Sequence, residues 1–518
     1  MIRWFVLICA MHLYAVQAVT ANTTQSTGSA SLELRQNETI ARNVKPLPVT
    51  PPQQLGMDGE SLSRKIDAAF EAAIASKEIC GGVVVIIRYG HIAFEKAYGK
   101  RSVEPSDEAA TVDTIYDMAS LTKPLATGSA IMKLVEDGKI RLNDPVKKFI
   151  PEWTDTSETK KLASDAEQFW RYVKLGAVRP NVSLFEPTTM PRDLTTGPAK
   201  ESSEFLLQRL TAAGGIRFNT PAWQDLVDIG PYSREDVTIR HLLTHTSGLD
   251  PFDRYYLKFP ERHARANIIA NIAQRPLVAR PGTVFRYSDL GFITLGEIVE
   301  RVTSQTEDQF CRKEIFEPLG MMDTGYNPSP ELLARVAPTE WRTDVTTVTK
   351  DGKETTSGKK VMARGEVHDG NAFVRDGISG HAGLFSTAGD VARYAAMLLD
   401  DGKLQGVRIF SPLTVKALSS DRAELKSGEQ RGLAWDIRTS YSGPRGDLFD
   451  SGFGHTGFTG TSLWVVPNEK LAIIVLSNRV HPDGKGDSGP LRGHVANAVA
   501  SSITASETKK THPSKEDQ

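Results

Sequence analysis

Ser120 and Lys123 are the residues whose types and spacing suggest chemistry first. They stand in Ala119-Ser120-Leu121-Thr122-Lys123-Pro124, where an extended approach (Thr114 to Met118) turns toward a helix. A serine and a lysine three residues apart on a helix share one face, with Cβ atoms about 5–6 Å apart. A lysine amine there can take the serine proton, which is the Ser–Lys form of nucleophilic catalysis. Pro124 offers no N–H to the Ser120 carbonyl, so the regular helix is expected to start close to Ser120. That start puts the serine at the positive end of a helix dipole, where an oxyanion is stabilised. A residue before proline avoids the α region, which places Lys123 in a distorted first turn.

The same Ser-x-x-Lys letters recur at Ser157/Lys160, Ser357/Lys360 and Ser506/Lys509, in polar surroundings. Only the copy at Ser120 precedes a long apolar-periodic stretch, Leu125 through Val135. Two histidines at i, i+4 (His241 and His245) have zinc-ligand spacing, but no glutamate follows the first and no third ligand is evident, so a structural role is favoured. Gly452 to Gly457 fits a dinucleotide G-x-G-x-x-G by letter, yet a strand follows it where a helix is required. No G-x-S-x-G elbow, H-E-x-x-H or Walker loop is present, so α/β-hydrolase, zincin and P-loop readings drop out.

The elements that must position Ser120 follow from patterning. Asp58 to Lys77 is amphipathic, with Leu62, Ile66, Phe70 and Ile74 on one side. Gly82–Arg88 and Ile92–Tyr98 read as two strands joined at Tyr89-Gly90-His91, and the continuous Val83–Ile87 run suggests a strand covered on both faces. Leu433–Arg438, Thr461–Val466 and Leu471–Ser477 read as closing strands and Arg492–Ile503 as a last helix. Residues 344–363 read as a hairpin turning at Asp351-Gly352. Residues 1–21 resemble a secretory signal peptide, with Arg3 and then an apolar stretch too short to span a bilayer comfortably. The reading continues with a disordered spacer over 22–57, a hydrolase domain over 58–506 and a disordered tail over 507–518. A polar, Pro- and Thr-rich insertion occupies about 154–233. With 62 basic and 63 acidic residues in 518, the chain gives no case for nucleic acid or anionic membrane as partner. Cys80 and Cys311 are taken as free, buried thiols.

Three ordered motifs carry a resemblance: Ser120-x-x-Lys123, Tyr287-Ser288-Asp289, and His455-Thr456-Gly457 on a strand. Their order resembles that of serine β-lactamase and penicillin-binding-protein-like hydrolases, with class C β-lactamases, family VIII esterases and DD-peptidases nearest. The segments His241–Leu249 and Gly380–Ser386 are similar to parts of that group. The resemblance implies an α+β fold, with an antiparallel sheet built from both chain ends, flanked by helices, and a mostly helical part over about 105–390. It implies Ser120 as acylated nucleophile, Lys123 and Tyr287 as the basic pair, and the N–H groups of Ser120 and Phe458 as oxyanion hole. Asp289, His455, Thr456 and Gly457 would contact substrate, Gly457 by letting a substrate carbonyl lie against the strand.

Two departures shape the expected function. The second motif commonly ends in Asn where this chain has Asp289, and a carboxylate there raises the lysine pKa and repels anions. The third motif begins with His455 where β-lactamases usually have Lys, and His is mostly neutral at pH 7, becoming a carboxylate anchor only as it protonates. The expectation is a secreted or periplasmic hydrolase of ester or amide bonds, esterase-like. The alternatives are a DD-peptidase or weak β-lactamase on cell-wall peptides, and a non-catalytic binder of wall fragments. No metal or organic cofactor is implied, no membrane span remains after signal cleavage, and the oligomeric state is open.

Overall fold

The computed structural model describes residues 45–155, 232–350, 353–420, 423, 425 and 427–504. The signal-like segment, most of the 154–233 insertion and the C-terminal tail lie outside them, as do the Ser-x-x-Lys copies at Ser157 and Ser506. The copy at Ser357 falls on a strand.

Helix α1 (Gly59–Ala75) is capped by the Asp58 carboxylate, which accepts from the Ser61 N–H. Strands β1 (Gly81–Arg88) and β2 (His91–Ser102) follow, turning through left-handed Tyr89 and Gly90. A short β3 (Glu108–Ala109) closes this edge. The nucleophile segment then leads into α2 (Ser129–Glu136), and α3 (Asp289–Thr303) and α4 (Glu307–Cys311) come from the middle of the chain. Strands β4 (Trp341–Lys350) and β5 (Lys353–Met362) pair as a separate antiparallel hairpin, and the turn expected at Asp351-Gly352 lies outside the described residues. After α5 (Ala388–Leu399) come β6 (Gln430–Arg431), β7 (Asp436–Arg438), β8 (Phe453–Thr456), β9 (Ser462–Val466), β10 (Leu471–Ser477) and α6 (Gly489–Ser502).

Eight strands make one antiparallel sheet in the order β6-β7-β8-β9-β10-β1-β2-β3. The chain ends therefore meet at its centre, where Val84 faces Val475 and Ile86 faces Ile473. Every residue of β1 and of β10 is buried. Alternation divides them between two cores. Val84, Ile86, Ile473 and Val475 pack under α1 and α6, against Leu62, Phe70 and Val495, while Val83, Val85, Ile474 and Leu476 face the helical half. The expected α+β architecture is thus observed.

Two expectations need correction. Residues 45–57 are not a spacer: Leu47, Leu55 and Met57 are buried, and against β2 the Thr50 N–H donates to the Ile92 carbonyl while the Ile92 N–H donates to the Pro48 carbonyl. Nor does a regular helix begin near Ser120. Ala119–Leu121 is a 3₁₀ turn, Lys123–Gly128 is a π turn, and α-helix starts at Ser129. Pro124 interrupts the i→i−4 ladder, and its own carbonyl accepts from the Ser129 hydroxyl at 2.9 Å.

Candidate active site

Ser120 sits on a strained turn. Ala119 before it has φ +45°, a left-handed conformation that costs an alanine about 1–3 kcal/mol. Buried Asp117 holds that turn, accepting from the Ala119 N–H at 2.8 Å and the His368 N–H at 2.7 Å. The hydroxyls of Thr459 and Thr461 tie the Asp117 and Met118 carbonyls to the loop after β8. Gly457 completes the fit. A Cβ there would lie 2.4 Å from the Met118 carbonyl oxygen and 2.1 Å from Thr461 Oγ1. The glycine is therefore required for the strand end to close on the nucleophile turn.

Lys123 is fully buried, and its Nζ lies 2.9 Å from Ser120 Oγ. It donates to the His381 carbonyl at 3.0 Å and makes an ion contact with Asp289 Oδ1 at 2.8 Å. The Tyr287 ring lies 5.0 Å from the amine. Burial pushes the lysine pKa down, but the Asp289 carboxylate and Tyr287 more than offset it, and the net direction is up. Lys123 is a cation at rest, as the Asp289 substitution led one to expect. Ser288, between Tyr287 and Asp289, is spent on structure: its hydroxyl donates to the Asp250 carbonyl and caps α3 at the Gly291 N–H. The Tyr287 ring is stacked on His245 at 4.4 Å, with Tyr441 on another side at 5.2 Å.

His241 and His245 both serve the fold. Nδ1 of His241 accepts from the Thr238 N–H in a capping box, and Nδ1 of His245 accepts from the Ser288 N–H. His455 differs from expectation. Its Nδ1–H donates to the Thr456 carbonyl at 2.8 Å and its Nε2 accepts from Arg431 Nη2 at 2.6 Å. Burial, reinforced by the charges of Arg431 and Lys123, holds its pKa well below the usual histidine value. His455 stays neutral and cannot become a titrating carboxylate anchor. The cation it would have supplied is Arg431, fully buried behind it, with Asp436 3.7 Å away.

Two cavities open on Ser120. One, of about 480 Å³, is lined by Tyr287, His455, Thr456, Phe458 and three arginines, Arg431, Arg479 and Arg492. Arg492 donates to the Gly457 and Thr461 carbonyls, while its Nε, Arg431 Nε and Nη1, and Ser488 Oγ are buried with no hydrogen-bond partner among the described residues. The other, of about 820 Å³, carries aromatic walls (Phe252, Tyr256, Phe373, Phe458) together with Asp289 and His368. No hydrogen bond among the described residues uses the Phe458 N–H, and its ring, 60% exposed, packs under the Arg479 guanidinium. Of the expected site residues, Ser120, Tyr287, Asp289, His455, Thr456, Gly457 and Phe458 line one or both of these cavities, and Lys123 touches Ser120. Sequence reasoning missed Arg431, which stands in an unremarkable Gln430-Arg431-Gly432, and Arg492, whose only signal was its place at the start of the last helix.

Fold and site are those of a serine hydrolase. The profile of the family described as Beta-lactamase matches residues 66–168 and 205–498, and the chain belongs to that family. A Salmonella agona (strain SL483) protein carrying the name "Putative D-alanyl-D-alanine carboxypeptidase" is 27% identical over 458 residues, 83% of this chain and 85% of its own length. Among solved structures, EstCE1, a hydrolase with promiscuous acyltransferase activity, has a similar fold (TM-score 0.56, 20% identity, 85% of this chain and 99% of that one). So has a class C β-lactamase from Rhodobacter sphaeroides (TM-score 0.52, 17% identity, 85% and 100%).

Proposed function

We propose that this hydrolase cleaves amide or ester bonds whose leaving group carries a carboxylate, in the manner of a carboxypeptidase on D-alanyl-D-alanine ends. Once the Lys123–Tyr287 pair has given up a proton, Ser120 Oγ attacks the carbonyl carbon and passes its own proton to that pair. The oxyanion lies between the N–H groups of Ser120 and Phe458, where one donor is worth about 3 kcal/mol. The C–N or C–O bond then breaks, the pair returns the proton to the leaving group, and water releases the acyl group from Ser120 by the reverse route.

The observation that carries this reading is the arginine wall beside Ser120, with buried guanidinium N–H groups that have no hydrogen-bond partner among the described residues. It supports a site that accepts anions, with the cation that had been looked for at His455 coming instead from a strand, a turn and a helix. The carboxypeptidase name of the curated relatives supports the same reading, and the apolar N-terminal stretch supports export to where such ends occur. No helix among the described residues is long and apolar enough to cross a membrane. An esterase reading retains one specific support, the aromatic walls of the larger cavity, which suit an apolar acyl group.

The test is turnover of a D-Ala-D-Ala peptide, nitrocefin and neutral p-nitrophenyl esters by the wild type and by Arg431→Met. The peptide should be cleaved. Arg431→Met should lose about 10–100-fold in kcat/KM on it, the worth of one hydrogen bond to a charged group, with neutral esters little changed. Equal losses on neutral and anionic substrates would reject the carboxylate assignment.

A further inference from the structure

Behind Lys123, on the side away from both cavities, a buried acid touches the machinery through one hydroxyl. Thr127 follows Lys123 by four residues on the same π turn. Its Oγ1 lies 2.5 Å from Glu307 Oε1 and 2.6 Å from the Gly380 carbonyl oxygen. A threonine hydroxyl has one proton to give. Three oxygens in a row at these separations need two protons between them. If Thr127 gave its proton to a Glu307 carboxylate, it would face the Gly380 carbonyl oxygen-to-oxygen with nothing between. With the proton on Glu307, both contacts are hydrogen bonds: Glu307 donates to Thr127, and Thr127 donates to Gly380.

The next carbonyl along, that of His381, is the one that accepts from Lys123. The His381 ring cannot drift, because Ser379 Oγ lies 3.0 Å from Nδ1 and Asp369 Oδ1 2.8 Å from Nε2. Packing leaves the acid no room either. A Cβ at Gly296 would lie 2.5 Å from Glu307 Oε2 and 3.0 Å from the Gly380 nitrogen, so carboxyl and loop press on the same point of α3.

Resting on the acyl-transfer reading above, we propose that Glu307, held as the neutral acid, is a positioning residue for Lys123. Its proton frees Thr127 to hold the Gly380 carbonyl, and that sets the His381 carbonyl which aims the Lys123 amine at Ser120. The surroundings agree. Burial raises the Glu307 pKa most and Glu300 adds to this, while the Thr127 hydroxyl, Arg265 and Arg375 oppose it, leaving it at about 7. Those arginines are engaged elsewhere, Arg265 with Glu300 and Arg375 with Glu297 at 3.9 Å. Asp308, Cys311 and Tyr326 also face this pocket and supply no positive charge. Above pH ~7 Glu307 ionises and draws the Thr127 proton away from Gly380, so a part of the rate is lost on the alkaline side.

The test uses Glu307→Gln, whose amide N–H donates to Thr127 at every pH, and Thr127→Val, which removes the relay. In the wild type, single-turnover acylation of Ser120 should fall above pH ~7. Glu307→Gln should match the wild type within about 3-fold at pH 6 and hold that rate to pH 9. Thr127→Val should lower the acylation rate about 10-fold at all pH values with substrate affinity little changed, since a small misplacement of a catalytic group is costly. An infrared difference spectrum, wild type minus Glu307→Gln, should show a protonated-carboxyl band at pH 6 that is gone at pH 9. That readout needs no substrate, so it stands even if the proposed leaving-group preference is wrong. Absence of the band at pH 6, or an alkaline limb that persists in Glu307→Gln, would overturn the assignment.

Discussion

Removing the charge of Asp289 should move the pH profile of the enzyme toward acid. Asp289 Oδ1 lies 2.8 Å from Lys123 Nζ, the lysine is fully buried, and the aspartate side chain is 20% exposed. Coulomb attraction between unit charges so placed is about 4–6 kcal/mol at an effective dielectric near 20. Solvent at the exposed part of Asp289 and the polar amide that replaces it screen much of that attraction, so only part of it is expected to show in the pH profile. The sign is fixed by the geometry. The carboxylate favours the ammonium form, so Asp289→Asn lets the Lys123–Tyr287 pair release its proton at lower pH. The acid limb of kcat/KM should therefore move down, and activity at pH 6 should rise relative to pH 8. The assay is turnover of a neutral p-nitrophenyl ester from pH 5 to 9, a substrate whose binding Asp289 cannot repel. Because Asp289 occupies the first turn of α3, melting of the variant must also be recorded. An acid limb that stays in place or moves up in a folded variant would show that Asp289 does not govern the proton of this pair.

Other perturbations follow from the same contacts. Gly457→Ala should lower kcat by about 100-fold with a smaller effect on melting, because its Cβ would push on the Met118 carbonyl next to the nucleophile turn; unaltered turnover would mean that the strand end and the turn are not in register as described. Affinity of a carboxylate ligand for Ser120→Ala should be flat between pH 6 and pH 8 as far as His455 is concerned, since the pKa of that residue is held well below 6.5; a rise in affinity toward pH 6 that His455→Gln abolishes would contradict its neutral state. Phe70→Ala should destabilise the fold by about 3–5 kcal/mol in chemical denaturation, because Phe70 is fully buried between α1 and the sheet and stacks on Tyr98 at 4.2 Å; a loss under 1 kcal/mol would mean that this face is loosely packed.

The sheet centre was legible because β1 and β10 are continuous apolar runs, a pattern that fits a strand covered on both faces, and because α1 has a clear one-sided stripe. Ser120, Lys123 and Tyr287 were legible as a cluster because each stands in a short motif, and the fold brings the three together. The local helix geometry was not: a π turn depends on how Pro124 and Ser129 share one carbonyl, which periodicity does not encode. Charge was the least legible. His455 was read from its own chemistry, but its protonation is set by Arg431, 24 residues earlier on another strand, and by burial. Arg431, Arg492 and Glu307 reach the site only through the tertiary fold, and none stands in a local pattern that marks it. Residues 45–57 were misread because their composition is that of a linker, while three apolar side chains suffice to pin them to the sheet edge.

The central claim is that Ser120 becomes covalently acylated. Incubation with a fluorophosphonate probe, followed by mass spectrometry of the digested protein, tests it directly. One adduct should appear, on the peptide carrying Ser120, and be absent in Ser120→Ala together with all ester and peptide turnover. An adduct on another serine, or turnover that survives Ser120→Ala, would contradict the account.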